Sequence, residues 1–570
     1  MNKCLLKKVF LFIGLLFGAS SCVDDSYDLD NMSNDMYLNY ETYMPLAHST
    51  VTVSDLLKKI DIDEVEERED GMVYFVYDTT ASFLLNPIKL ELKQYKYTTT
   101  VSSALPSFDS SVIPPGMSGP GIKAGEVMNF PVDVQIEIDE KTGTGRIDKV
   151  LVKKATFKFQ LSSKGIPDLN KKVRLEVDVP GSIVSGGLDN KLFWDAEEGE
   201  ASYILDDATL TLDSDIIPVN FKLIALENIE LTPSSEDIEL SLVAKKTKID
   251  YYTLYGAFTH TTAQREKAEL AIDIFHNENI QYNLTVKDPR VRMDVYSNCG
   301  IPLKAEITSL VSKNVEGGTY SSVFENGETT YKHRFDYAKV ENTVEKAFSE
   351  VFDKNNGSID KLFNNHPDSL FINCSYVIDG PIESGITYFL QDTTTIQTRV
   401  TAEVPFWLGS DSYITSQDTI KGIDIFDELE DYQKEDYSIE VAEIFIDFEN
   451  RTPLDAYVSA QFIEVDTVIV NGEETVERKV IDSVNLDQTV KLAPAVVDPV
   501  TSKVISPSSS NKSIKVFGAQ VEDLKKIDEI ILNYKVGISA GESGVKISGD
   551  CSLSAKAYAR IKANITVKND

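Results

Sequence analysis

A chain of 570 residues with 91 acidic against 56 basic side chains carries a formal charge of −35. That balance excludes nucleic acid as a partner, because phosphate binding needs a basic stripe, and excludes docking on anionic lipid heads; solubility in water accounts for it without a charged ligand. The length exceeds what one core supports and predicts several domains, while 42% apolar and 9% aromatic content are those of a folded chain.

The first 21 residues read as a removable leader. Lys3, Lys7 and Lys8 form a basic start, Val9 to Phe17 an apolar run, and Gly18-Ala19-Ser20-Ser21 a cleavage point. Nine apolar residues span about 14 Å as a helix, roughly half of a bilayer's hydrocarbon core, so this run is no transmembrane anchor. Together with Cys22 the segment resembles the lipobox of bacterial lipoproteins, whose cysteine is lipidated and becomes the first mature residue. The following Val23-Asp24-Asp25-Ser26-Tyr27-Asp28 resembles the acidic signal of Bacteroidetes surface lipoproteins, and Val23 departs from the enterobacterial inner-membrane retention pattern. The resemblance implies a lipid on Cys22, an export signal at Asp24, Asp25 and Asp28, and an outer-membrane, surface-facing protein anchored by its lipid.

From Cys22 to Pro45 the chain is polar and acidic and is expected to be a flexible tether. Beyond it, alternation with period two dominates, as in Ala155-Phe157-Phe159-Leu161, Val173-Leu175-Val177-Val179, Ile444-Ile446-Phe448 and Leu553-Ala555-Ala557-Ala559-Ile561-Ala563. Such stretches are half-buried strands, so the fold class is mainly β, as tandem β-sandwich-like domains over 46–215, 216–315 and 316–570. The stretch from Tyr97 to Pro131, rich in proline, glycine and serine, reads as a long loop or boundary without core. Asn326-Gly327 and Asn471-Gly472 read as hairpin turns. One short helical segment is expected near 338–363: a helix over Ala338 to Phe352, stopped by Asn355-Asn356-Gly357, then a second capped by Ser358 and running to Phe363. A weaker helix is expected from Ser54 to Ile60. Of the cysteines, Cys299, Cys374 and Cys551 are expected as buried thiols; they allow at most one disulfide, and spacing cannot choose the pair.

A local pattern recurs. Val291 to Val295 runs into Asn298-Cys299-Gly300-Ile301-Pro302, Ile444 to Phe448 into Asn450-Arg451-Thr452-Pro453, and Phe157 to Leu161 into Gly165-Ile166-Pro167. In each, a strand ends at a polar residue or glycine, proline follows, and alternation resumes. The pattern resembles stretches of large Bacteroidetes surface lipoproteins and is similar to the Asn…Pro hairpins of LEA-type β-sandwiches. The resemblance implies repeated β-domains and no chemistry. It also implies O-glycan acceptors of the form Asp-Ser/Thr-apolar, which match at Thr79, Ser369, Thr393, Thr419, Thr467 and Ser483.

Catalytic and metal motifs fail on inspection. Gly537-Ile538-Ser539-Ala540-Gly541 matches the hydrolase elbow, yet strand follows where a helix is required, and no histidine lies beyond His366. His48, His260, His276, His333 and His366 are scattered without a ligand pair. The acids from Asp61 to Asp70 and the Asp28-Asp30 pair lack the order of a calcium loop, so no metal and no cofactor is expected. Trp194 and Trp407 lie in apolar runs, where core packing outweighs sugar stacking. The expectation is a non-enzymatic surface lipoprotein that binds or scaffolds an unknown protein or glycan. A glycan-binding accessory protein of a polysaccharide-uptake system is the first alternative. The second is a hydrolase whose carboxylates come together only in the fold.

Overall fold

Where the sequence alternates, the backbone is strand: Phe157, Phe159 and Leu161 are buried while Lys158 and Gln160 face water. The computed structural model describes residues 36–53, 55, 65–69, 71–105, 119–178, 183–184, 191–192, 200–213, 215–231, 238–275, 282–381, 385–423, 436–470, 473–482, 489–499, 501–517, 520–524, 526–538 and 544–567. The leader, Cys22, Asp24, Asp25 and Asp28 lie outside these residues.

The first half of the chain gives β1 (Met36–Thr52), β2 (Val73–Leu84), β3 (Leu90–Leu92), β4 (Tyr95–Thr100), β5 (Val127–Ile138) and β6 (Gly143–Ser163). After these come β7 (Val173–Asp178), β8 (Glu200–Thr211), β9 (Ile216–Ala225), β10 (Glu239–Ala244) and β11 (Thr247–His260). One leaf is built on β6, which pairs with β8, β10 and β11; the other is built on β9, which pairs with β5 and β7. Short β3 joins the leaves by pairing with both β11 and β5. Between them Phe159 of β6 meets Phe221 of β9 edge to face, with ring centroids 4.8 Å apart.

The second half gives β12 (Arg290–Ser297), β13 (Leu303–Lys313), β14 (Glu345–Phe352), β15 (Ser369–Ile378), β16 (Tyr388–Gln391) and β17 (Thr395–Pro405). It continues through β18 (Tyr413–Lys421), β19 (Asp436–Asn450), β20 (Asp455–Val470), β21 (Glu473–Val480), β22 (Ser508–Phe517), β23 (Glu529–Gly537) and β24 (Ser552–Val567). The fold is mainly β and its named strand pairs are antiparallel. The sheets are not assembled from consecutive stretches: β2 pairs with β17, β11 with β16, and β1 with β24. The boundary expected at 215/216 cuts β9 from its partners β5 and β7, and the one at 315/316 cuts β12 from its partner β14.

The recurrent asparagine or glycine and proline pattern is where the chain changes sheet. After β12, Asn298 Oδ1 accepts from the Thr395 amide at 2.7 Å, and β13 then enters a sheet with β15. After β19, Asn450 is fully buried; its Nδ2 donates to the carbonyls of Leu454 and Ala493, both at 2.8 Å, and its Oδ1 accepts from the Thr452 amide. Strand β20 then pairs with β23 rather than with β24 or β22. The Gly165-Ile166-Pro167 copy likewise leads, through a helical turn at Leu169–Lys172, from β6 to β7 on the opposite leaf. A buried asparagine supplies the hydrogen bonds that the backbone loses at such a corner.

Several expectations are corrected. Residues expected as a helix over Ala338 to Phe352 instead contain β14, along β12. A recurrence every four residues, at Val344, Phe348 and Phe352, is one helical turn but also two strand repeats. The ladder to β12 and the packing of Phe348 on Phe335 (4.6 Å) and of Phe352 on Phe324 (5.4 Å) decide for strand, leaving Val340 and Val344 exposed. The second helix is present at Ile359–Phe363, but Ser358 precedes it at φ 50° without a capping bond, and its Oγ donates to the Val323 carbonyl. Asn326-Gly327 lies in a 3-10 turn whose flanking strands both pair with β13 and not with each other. Asn471-Gly472 lies outside the described residues; the strands on either side, β20 and β21, pair up to Val470 opposite Glu473. β1 starts at Met36, inside the span expected as a tether, and residues 22–35 lie outside the described residues. Of the weak Ser54 helix, Val53 and Asp55 are helical, with Thr52 and Asp55 capping each other; the rest lies outside the described residues. The Tyr97 to Pro131 region holds β4, the start of β5 and buried Val101, Ala104, Ile122, Met128 and Phe130. Gly121 permits this, because a Cβ there would collide with the Ile229 carbonyl of the paired strand. Cys299, Cys374 and Cys551 are buried free thiols.

Candidate ligand-binding cleft

Two strands that begin as neighbours separate and leave a cleft. β3 is laddered to β5 through Leu90–Ile138 and Leu92–Ile136. After Lys93 and Gln94 the chain becomes β4, which pairs with β10 on one side and, among the described strands, with none on the other. β5 meanwhile continues along β9. The opened seam spans about 1220 Å³, open solvent at its mouth included. Tyr95 and Tyr97 form one wall and Pro131, Asp133 and Gln135 the other, over a floor of Phe159, Phe221, Leu242 and Ala244.

The tyrosines sit two apart on one face of β4, and their rings touch, with centroids 4.5 Å apart. Tyr95 is 53% exposed, while Tyr97 reaches across the seam and donates its hydroxyl to the Asp133 carbonyl at 3.0 Å. Burial pushes the Tyr97 phenol up to about 12, helped by Tyr95 and Asp133, so at neutral pH it is a donor rather than a base or nucleophile. At the rim Lys93 is ion-paired to Glu137 at 2.8 Å, and Gln94 and Gln135 add neutral amides. Beneath the floor a further, small cavity is walled by apolar and aromatic side chains, and shares Val134, Phe159 and Phe221 with the cleft. An apolar floor below a ring of tyrosine and amide groups holds an amphipathic molecule by burying one part and hydrogen-bonding the other.

Among the described residues, the sequence-predicted positions are not brought together. Thr79 is half-buried in β2, beside Asp78 held by Arg399 at 2.7 Å. Ser369 is buried at the start of β15. Thr393 is exposed in the turn between β16 and β17, Thr419 on β18 and Thr467 on β20, whereas Ser483 lies outside the described residues. Trp194 also lies outside them; Trp407 is half-buried with the Lys546 ammonium 5.1 Å from its ring centre. His333 stacks on Tyr331, His366 on Phe275, and His260 is buried, each in a different place; His276 and Ser539 lie outside the described residues. Of the acidic run, Asp61, Asp63, Glu64 and Asp70 lie outside, and Glu66 pairs with Arg68 at 3.7 Å. The cleft residues Tyr95, Tyr97 and Asp133 were missed, although Tyr95-Lys96-Tyr97 is itself a period-two signal.

No protein-family model matches this chain, and no curated protein is similar to it. Among solved structures it is similar to that of the infectious bursal disease virus Gx strain, at 7% identity over 88% of this chain and 82% of that one, with a TM-score of 0.13. It is also similar to the PBSX exported protein XepA (11% identity, 52% and 88% covered, TM-score 0.11) and to the major capsid protein P2 from bacteriophage PM2 (9% identity, 50% and 97% covered, TM-score 0.12). Similarity at this level transfers no function.

Proposed function

We propose that this chain is a non-enzymatic binding module, anchored in the outer membrane by lipid on Cys22, facing outward, and holding its ligand in the cleft between β4 and β5. The observation that carries the reading is the opened seam, whose apolar floor and tyrosine and amide rim are suited to holding a ligand. The leader and the acidic residues after Cys22 support the address. The test is twofold. In a native-type host, Cys22→Ser abolishes lipidation, and protease added to intact cells degrades the wild-type protein. With purified protein, the fluorescent amphiphile anilinonaphthalene sulfonate binds at one site, and Ala244→Leu, which fills the floor, abolishes that binding. Undiminished dye binding in the variant would overturn the cleft as the site.

A further inference from the structure

Three adjacent strands have interrupted ladders at one level. In β6 against β11, Lys154 pairs with Asp250, Val152 with Tyr251 and Leu151 with Thr253, so Lys153 and Tyr252 both drop out of the ladder. In β8 against β6, Asp206 pairs with Lys154 and Ala208 with Val152, so Asp207 drops out too. Asp207 holds φ at 49°, a left-handed backbone that an L-residue adopts under strain. Consecutive side chains consequently face solvent at Lys153-Lys154 and Asp206-Asp207. A single bulge re-aims one side chain. Here two bulges between β6 and β11 coincide with an in-register gap between β6 and β8, and the residues left out of the ladders meet: the Tyr252 hydroxyl donates to Asp207 Oδ1 at 2.8 Å, and the Lys153 ammonium stands 5.4 Å from the Tyr252 ring centre. The turn after β16 closes the group, with Asp392 accepting from Lys153 at 3.2 Å.

These residues line an open basin of about 1010 Å³. Its acids are Asp206, Asp207, Asp250 and Asp392. Its bases are Lys89, Lys153, Lys154 and Lys248, so the basin is formally neutral within a chain of charge −35. A charged ligand would meet as much repulsion as attraction there. A neutral ligand rich in hydroxyls finds acceptors and donors interleaved, since each hydroxyl can donate to a carboxylate and accept from an ammonium. Tyr252, 42% exposed, adds an aromatic surface for the apolar side of a sugar ring. We infer that this basin is a second binding site, separate from the cleft, and that its ligand is a neutral carbohydrate.

The probe is affinity electrophoresis of the full chain through gels containing dextran, xylan, mannan, glucomannan or arabinogalactan, with polygalacturonate and chitosan as charged controls. At least one neutral polysaccharide retards the protein, and the charged ones do not do so more strongly. Tyr252→Ala weakens retardation at least tenfold. Asp207→Gly does the same while leaving the thermal midpoint unchanged or higher, because glycine accepts the left-handed backbone without strain. Ala244→Leu, in the cleft, leaves retardation intact, so failure of the cleft reading and failure of this one are told apart. No retardation by any neutral polysaccharide, stronger retardation by a charged one, or full retardation of the folded Asp207→Gly variant each overturns the proposal.

Discussion

The Tyr97 hydroxyl bridges to the Asp133 carbonyl across a seam that, at Leu92 and Ile136, is still an ordinary ladder. One side-chain hydrogen bond thus stands where a row of backbone bonds would otherwise run. A neutral bond of this kind contributes about 1 kcal/mol, and less where water competes. Tyr97→Phe is expected to lower unfolding free energy by no more than about 1 kcal/mol, while hydrogen exchange of β4 amides speeds up relative to β10. Unchanged exchange in β4 would show that the bridge does not hold the wall.

Stability below neutral pH should depend on His260. Its ring is buried at the end of β11 with Nδ1 lacking a partner; burial lowers its pKa to about 4, and a hydrogen bond with the Asn86 backbone only partly opposes that shift. The folded state therefore keeps the ring neutral where the unfolded chain, near 6.5, takes up a proton. The contribution is fully present above pH 6.5 and is lost as pH falls towards 4, by about 3 kcal/mol in all. Urea melts at pH 7 and 4.5 should show a larger drop for the wild type than for His260→Leu. Equal drops would count against a buried neutral ring.

Gly256 lies where β11 crowds β6. A Cβ there would sit 2.0 Å from the Arg146 carbonyl oxygen and 2.6 Å from the Phe258 ring. Gly256→Ala is expected to cost about 3 kcal/mol, because backbone and a buried ring must both move. Denaturant unfolding checks this; a loss below about 1 kcal/mol would mean the strands separate there easily.

Exposure ranks the proposed O-glycan acceptors. Thr393, Thr419 and Thr467 are exposed, Thr79 is half-buried, and Ser369 is 8% exposed at a strand start. Peptide mapping of protein from native membranes should find glycan on one or more of the first three and none on Ser369. Glycan at Ser369 would require modification before folding.

Fold class was legible because period two is written in single strands, as in Phe157, Phe159 and Leu161. Val344, Phe348 and Phe352 misled because a spacing of four serves helix and strand alike, and only the partner strand decides. Neither the cleft nor the basin was legible. The cleft arises where Lys93-Gln94 leaves one neighbour for another, and the basin where Lys153, Asp207 and Tyr252 drop out of their ladders at one level. Both are properties of pairs of strands, and a single strand's sequence does not state its register. The sheet-changing corners lay between these cases: Asn298 and Asn450 were visible as a repeat, but not as crossings.

β1 and β24 run antiparallel, with Met36 opposite Val567 and Thr52 opposite Ser552. The backbone arriving at Met36 and the backbone leaving Val567 therefore sit side by side at one end of the sheet. Tension applied between them falls on one rung at a time, starting from Met36 and Val567, and not on all rungs at once. Under load this sheet should peel open like a zipper at low force, whereas a pull between Thr52 and Val567 would shear the whole ladder and meet far greater resistance.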